Sequence, residues 1–260
     1  MERLPLKVLN ALLGVERLIG VEVVEIAGRG RGVRATAAHA SQAAVVPFGD
    51  PLAHSGTTPF ALPPPSAEDA SSIRARYEAT YAAAVASLGG DRRYPLLVAQ
   101  IASRVAHEPA EGSAFAVAVA SLCSARLPEI PEPWKEDREA LVAALDAPCD
   151  WLTDRWYGGV CSRVHLNAMR ADSAGDATVL HLLPSYLNHE RDPTLLIDYD
   201  NRRFVAARDL EPGTELTIDY GPPEGVDRAA FFLDHYGFQE EGTEWAGPPT
   251  TSEAGTYFRG

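Results

Sequence analysis

Two stretches decide how this chain reads: LLPSYLNHERDP at Leu182–Pro193 and RDLEPGTELTIDYG at Arg208–Gly221. The first sets Asn188 and His189 beside a charged turn closed by Asp192-Pro193. In the second, the turn Glu211-Pro212-Gly213 feeds a short β-prone run that ends in Asp219-Tyr220-Gly221. Taken singly, each has an ordinary explanation. Asn188 and His189 suit a loop that satisfies backbone groups, and Tyr220 suits a half-buried strand end. Around them, TVLHLLP, TLLIDYD and RRFVAARD are further β-prone runs separated by turn residues, so the chain from Thr178 to Gly221 reads as strands.

Upstream, VEVVEIAGRGRGVRATAAHASQAAVVPF (Val21–Phe48) also reads as strands, its β-branched runs broken by glycines. Between these β regions lies a different grammar. Pro59–Pro65 (PFALPPP) is a stiff connector unsuited to a central strand or a helix interior. An Ala-rich helical stretch follows, with Ser66 and Asp69 as a weak capping box and Gly89-Gly90 as a stop. Further helices are expected over Tyr94–His107, Ser113–Arg126 and Trp134–Leu145, the last two separated by EIPEP. After Pro222-Pro223 one short helix is expected from Val226 to His235, then a polar tail. No internal repeat is present. Strands, a helical insert, strands again and a short helical end describe an α+β fold whose sheets are built from segments far apart in sequence.

Composition narrows the function. The 260 residues carry 36 acidic against 23 basic side chains, a formal net charge of −13. Phosphate neutralisation supplies most nucleic-acid affinity, so no nucleic-acid partner is expected, and a basic protein or peptide suits the charge better. Cys123, Cys149 and Cys161 form no CxxC pair, which argues against a disulfide framework or a Cys-rich zinc site; no metal is expected. Apolar runs fall far short of the ~18 residues a transmembrane helix needs, so no membrane association is expected. The start, MERLPLKVLNALLGVERLIG, lacks the pattern of a signal peptide, and a cytosolic or nuclear location is expected. GRGRGV at Gly28–Val33 has valine where GxGxxG needs its last glycine, no GK[ST] follows, and neither HExxH nor GxSxG occurs.

The order of the segments carries more than any one of them. Gly30–Ala35 (GRGVRA), Asn188–Pro193 (NHERDP), Glu211–Gly213, Glu215–Gly221 (ELTIDYG) and Tyr236–Phe238 (YGF) together resemble the SET domain of protein lysine methyltransferases. VCSRVHLNAMR and PSYLNHERDP resemble the SET-and-MYND branch. The resemblance covers Gly20–Phe48 and Val160–Phe238, with Ser66–Tyr157 as the insertion. It implies one SET-type domain over 1–260: an N-terminal half at 18–62, a helical insertion at 66–158, a C-terminal half at 160–222, and a helix with a zinc-free tail at 223–260. The implied fold is a set of small β-sheets in which the Asn-His segment and the strand-end Tyr segment form a pseudoknot.

By the same resemblance the cofactor is S-adenosylmethionine, leaving as S-adenosylhomocysteine, and the substrate is a lysine of a protein, entering through a narrow channel. Gly30, Arg31 and Gly32 would approach the methionine end of the cofactor, with Arg31 available for its carboxylate. Arg29 would either join it or be a solvated turn residue. Asn167, Ser185, Leu187, Asn188 and His189 map onto cofactor contacts, Phe238 onto the aromatic packed on adenine, and Tyr220 onto the catalytic tyrosine. Met169 joins Tyr220 on the substrate channel, where this branch commonly has Phe. In-line methyl transfer depends on alignment, and a desolvated channel beside a sulfonium lowers the lysine pKa from its usual ~10.4, so no carboxylate base is required. An acidic rim of Asp227, Asp234, Glu240, Glu241 and Glu244 would favour lysines in basic segments.

Three features depart from the pattern. Glu190-Arg191 stand where Ser-Cys is usual, Thr194 stands where Asn is usual, and neither a MYND module nor a cysteine cluster after Phe238 is present. Two rival readings therefore stand beside a lysine methyltransferase: an inactive SET-like scaffold, and a methyltransferase acting on another protein nucleophile or a small molecule.

Overall fold

A computed structural model of the chain describes residues 5–12, 20–49, 52–54, a few positions between 79 and 86, 93–107, 119–122, 130–145, 149–173, 177–222, 225–232 and 236. It divides into two compact units. A strand-rich unit is drawn from Leu18–Pro47, Leu187–Asp198 and Arg203–Gly260, and a helix-rich unit from Met1–Arg17, Phe48–Tyr186 and Tyr199–Arg202.

In the strand-rich unit, β1 (Val21–Ile26) and β2 (Gly30–Ala35) form an antiparallel hairpin in which Ile26 faces Gly30. The turn is Ala27–Arg29, closed by the Arg29 N–H on the Ile26 carbonyl. Gly28 and Gly30 sit at φ +75° and +77°, a conformation that side chains with a Cβ rarely adopt. Alternation along β1 buries Val21 and Val23 and puts Glu22 on the opposite face, while Glu25, next to the hairpin turn, is exposed. Beyond β3 (Ala44–Pro47), the unit resumes with β7 (Asn188–His189), β8 (Leu195–Asp198), β9 (Arg203–Ala206) and β10 (Glu215–Ile218). One sheet has the order β1-β2-β10-β7, with β10 antiparallel to β2 and parallel to β7. Val23, Val33 and Leu216 lie in one row across it, none more than 1% exposed. That row is the apolar spine of the sheet. The second sheet is β3-β9-β8, built on Phe204 and Leu195.

The two sheets are stitched by a pair of buried threonines. The Thr194 N–H donates to Thr217 Oγ1 at 3.1 Å, the Thr217 N–H donates to Thr194 Oγ1 at 2.8 Å, and Thr194 Oγ1 donates to the Glu215 carbonyl at 3.2 Å. Thr194 thus has a structural task that an asparagine is not needed to fill.

The helix-rich unit holds α1 (Leu6–Leu12), α2 (Arg93–His107), α3 (Glu132–Ala144), α4 (Asp154–Asn167) and a small sheet β4-β6-β5 (Ala53–His54, Thr178–Leu180, Met169–Arg170). α2 and α3 match the helices expected over Tyr94–His107 and Trp134–Leu145 to within two residues. α4 was not expected. Thr153 caps it by accepting the Trp156 N–H, and a Cβ at Gly158 would collide with Ile130 Cγ2, so its glycine permits close packing. Its glycines and polar residues hide the helical periodicity that the sequence reading relied on, and it runs through the expected boundary near 158–160. The helices expected between 66 and 90 and over Ser113–Arg126 lie largely outside the described residues. No described helix is long and apolar enough to cross a membrane.

Candidate active site

β7 brings Asn188 and His189 alongside Thr217 and Ile218 of β10, and two residues later the chain reaches Tyr220. The His189 ring fixes this junction. Its Nδ1 accepts the Tyr220 N–H at 3.2 Å, and the ring lies 5.3 Å from that of Tyr220 and 4.4 Å from that of Phe232. An accepting Nδ1 puts the proton of a neutral imidazole on Nε2. The Tyr220 hydroxyl donates to the Leu187 carbonyl at 2.6 Å. Its one proton is committed there, so toward any further group the oxygen acts as an acceptor.

Asn188 is oriented with equal care. Its Nδ2 donates to Glu215 Oε1 at 2.8 Å, so Oδ1 is the half of the amide left as an acceptor. Gly32 makes room for this pair. A Cβ there would stand 2.7 Å from Asn188 Nδ2, 2.7 Å from Ile26 Cγ1 and 3.2 Å from Glu215 Oε1. At Gly30, by contrast, a Cβ would meet nothing within 4 Å.

Gly30, Arg31 and Gly32, expected near the methionine end of the cofactor, lie in strand β2, and the hairpin turn lies at 27–29 because Ile26 pairs with Gly30. Arg31 therefore sits opposite Glu25, and its Nε is 3.3 Å from Glu25 Oε1. It is Arg29, on the turn, that reaches the Asn-His segment. Its Nη1 stands 3.2 Å from Glu190 Oε2 and 3.1 Å from Glu215 Oε2, and its Nη2 donates to the His189 carbonyl. The carboxylate that departs from the usual motif is thus balanced by a guanidinium in its own unit.

A second clamp lies beyond Tyr220. Asp219 accepts from Arg228 through both carboxylate oxygens, at 2.6 and 3.1 Å, and from the Gly221 N–H at 2.9 Å. Arg228 opens α5 (Arg228–Phe231), which Asp227 caps through the Ala230 N–H, and its guanidinium sits over the Phe232 ring at 5.1 Å. Tyr236 lies 4.9 Å from Tyr220 and 5.7 Å from Phe232, ring to ring. An aromatic group of His189, Tyr220, Phe232 and Tyr236 is the result.

The remaining site candidates belong to the helix-rich unit, except Phe238, which lies outside the described residues. Asn167 ends α4, its Nδ2 donating to the Arg163 carbonyl at 2.7 Å. Ser185 Oγ donates to the His181 carbonyl and lies 3.4 Å from the Asn167 carbonyl, so these two candidates meet. Met169 stands opposite Val179 at the edge of the small sheet. Of the five acids expected to form a rim, Asp227 serves as the α5 cap, and the other four lie outside the described residues. Among the described residues no group of three His, Cys, Asp or Glu side chains could hold a metal ion. Glu215 and the Asp219–Arg228 pair escaped the sequence reading, and Arg29, expected either beside the cofactor carboxylate or as a solvated turn residue, instead bridges Glu190, Glu215 and the His189 carbonyl. One signal was available: a carboxylate at Glu190, in place of a neutral residue, calls for a cation nearby.

Comparison with known proteins bears on the family of the chain. The SET domain model matches residues 30–221. A histone-lysine N-methyltransferase of Arabidopsis thaliana is 29% identical over 93 residues, covering 27% of this chain and 29% of the relative. A SET and MYND domain-containing protein of Dictyostelium discoideum is 26% identical over 175 residues, covering 58% of this chain and 51% of the relative. The chain thus spans about half the length of one curated relative and less than a third of the other. A crystal structure of the SET domain of LSMT bound to lysine and AdoHcy aligns with TM-score 0.47 at 13% identity, over 91% of this chain and 57% of that one. The family match begins at the first residue of β2 and closes just past Tyr220, taking in both the Asn-His strand and the strand it pairs with: the chain belongs to the SET-domain family.

Proposed function

We propose that this chain is an S-adenosylmethionine-dependent methyltransferase whose acceptor is a lysine side chain of a protein. The observation that carries the reading is Tyr220, held by its backbone on His189 and by its hydroxyl proton on Leu187. A phenolic oxygen whose proton is already committed is suited to accept from an activated methyl group or from the incoming amine, and its fixed position favours in-line alignment. Membership of the SET family, and a curated relative named as a histone-lysine N-methyltransferase, support the reaction class.

The residues fit such a donor. Asn188 presents Oδ1, the atom able to accept from an α-ammonium, because Glu215 holds its Nδ2. Open space beside Gly30 admits close approach of a ligand to the backbone. Arg31 is held toward Glu25, so a role on the donor carboxylate would need that pair to share or part. When bound, S-adenosylmethionine supplies a sulfonium methyl as the electrophile. His189 keeps the Tyr220 ring in place, and the rings of Tyr220 and Tyr236 offer aromatic faces suited to cationic groups. The pairing of Glu190 with Arg29 speaks for a working site rather than a decayed one, since the unusual charge is accommodated and not left to repel.

Tritiated S-adenosylmethionine added with this protein to cell lysate separates the readings. Labelled protein bands that hydrolyse to methyl-lysine are expected. Label in small molecules or in another amino acid would move the acceptor, and no label with intact donor binding would favour a scaffold.

A further inference from the structure

Arg29 touches three parts of one small region: the Glu190 carboxylate, the Glu215 carboxylate and the His189 carbonyl. Glu215 in turn spends its other oxygen on Asn188 Nδ2. Its carboxylate is therefore shared, Oε2 toward Arg29 and Oε1 toward Asn188. Gly32 seals the arrangement, since its missing side chain is where Asn188 and Glu215 meet. Two carboxylates thus converge on one nitrogen of one guanidinium. Remove that cation and they repel: the more exposed Glu190 can relax toward solvent, while Glu215 loses the partner that fixes its Oε2 and with it part of the restraint that keeps its Oε1 on Asn188.

We propose that Arg29 is a positioning residue for the donor site: by neutralising Glu190 and Glu215 together it keeps Glu215 on Asn188 and so keeps Asn188 Oδ1 presented for a cationic ligand group. Glu190 is the reason the cation is needed. The inference rests on the reading of Asn188 as a donor contact, and the test keeps the two apart.

The measurement is calorimetric affinity for S-adenosylhomocysteine in the full chain, for wild type, Arg29→Gln, Glu190→Gln and the double variant, with thermal midpoints alongside. Arg29→Gln is expected to bind roughly three- to tenfold more weakly, the range for charge-assisted bonds at a partly exposed guanidinium. Adding Glu190→Gln to it is expected to recover part of the loss, because one of the two repelling charges is gone. Glu190→Gln alone should not tighten binding. Glu190→Gln thus helps only where Arg29 is missing, a dependence that an arginine acting independently of Glu190 would not produce. Should Arg29→Gln fail to fold, Arg29→Lys keeps the charge but loses the fork that also reaches His189, and an intermediate affinity is expected. A folded Arg29→Gln that binds like wild type, or a double variant that binds no tighter than Arg29→Gln, overturns the inference. Wild type that binds no S-adenosylhomocysteine overturns the donor-site reading beneath it.

Discussion

His189 and Gly32 show how single residues serve the site by holding others. His189 entered the sequence reading as a cofactor contact, yet in the structure its ring nitrogen holds Tyr220 and its carbonyl accepts from Arg29. Gly32 entered as a place for close backbone approach, and the group that approaches is Asn188 of its own chain. Gly32→Ala is expected to push Asn188 aside, at a stability cost of about 1–3 kcal/mol. S-adenosylhomocysteine affinity should fall in a protein that still melts cooperatively, and unchanged affinity by calorimetry would exclude the displacement. Away from the site, Cys161 makes a separate prediction. Burial pushes its thiol well up, with a hydrogen bond from Tyr157 opposing and Asp137 adding. The folded thiol thus keeps its proton to higher pH than the unfolded one, whose value is about 8.5. Its contribution to stability is complete below that pH and is lost as pH rises through the folded value. Urea midpoints for Cys161→Ala should therefore decline less between about pH 8 and about pH 10 than those of wild type.

Elements join through a few long-range contacts that a linear reading cannot see. The strand runs were legible because β-branched residues alternate between turn residues, and α2 and α3 because their apolar residues recur at helical spacing. α4 was not, since Gly158, Gly159 and its polar residues break that rhythm while tertiary packing keeps it helical. The site residues on β7 and β10 were legible as segments, but not the Arg29 bridge: pairing across 161 positions leaves no local trace. Thr194 looked like a departure from the family pattern and proved to be the stitch between β8 and β10. Thr194→Val leaves the buried Thr217 N–H without its acceptor, at about 1–3 kcal/mol. A drop in Tm of roughly 2–12 °C is expected by calorimetric melting. No drop would mean that the two sheets are held by other contacts.

For the whole molecule, the charge of −13 and the clamp that follows Tyr220 have consequences that reach beyond one strand. Association with a basic peptide should slow as salt is added, because steering acts over about a Debye length; methylation of such a peptide that ignores salt would count against it. Asp219, Arg228, Phe232 and Tyr236 fasten the segment after Tyr220 by a bidentate ion pair and tilted ring contacts. Protein purified without a His-tag is expected to hold no stoichiometric zinc, and about one tightly held equivalent by metal analysis would show that residues outside those described complete a metal site. The proposal as a whole turns on one oxygen atom. Tyr220→Phe keeps the ring against His189 and Tyr236 and removes only the hydroxyl, so fold and S-adenosylhomocysteine affinity should persist. The decisive measurement is the rate of methyl transfer to a protein substrate at saturating donor, compared between wild type and Tyr220→Phe. A fall of roughly 30- to 1000-fold is expected, the value of about 2–4 kcal/mol for one well-placed hydroxyl in a transition state. Near-equal rates would contradict the assignment of Tyr220.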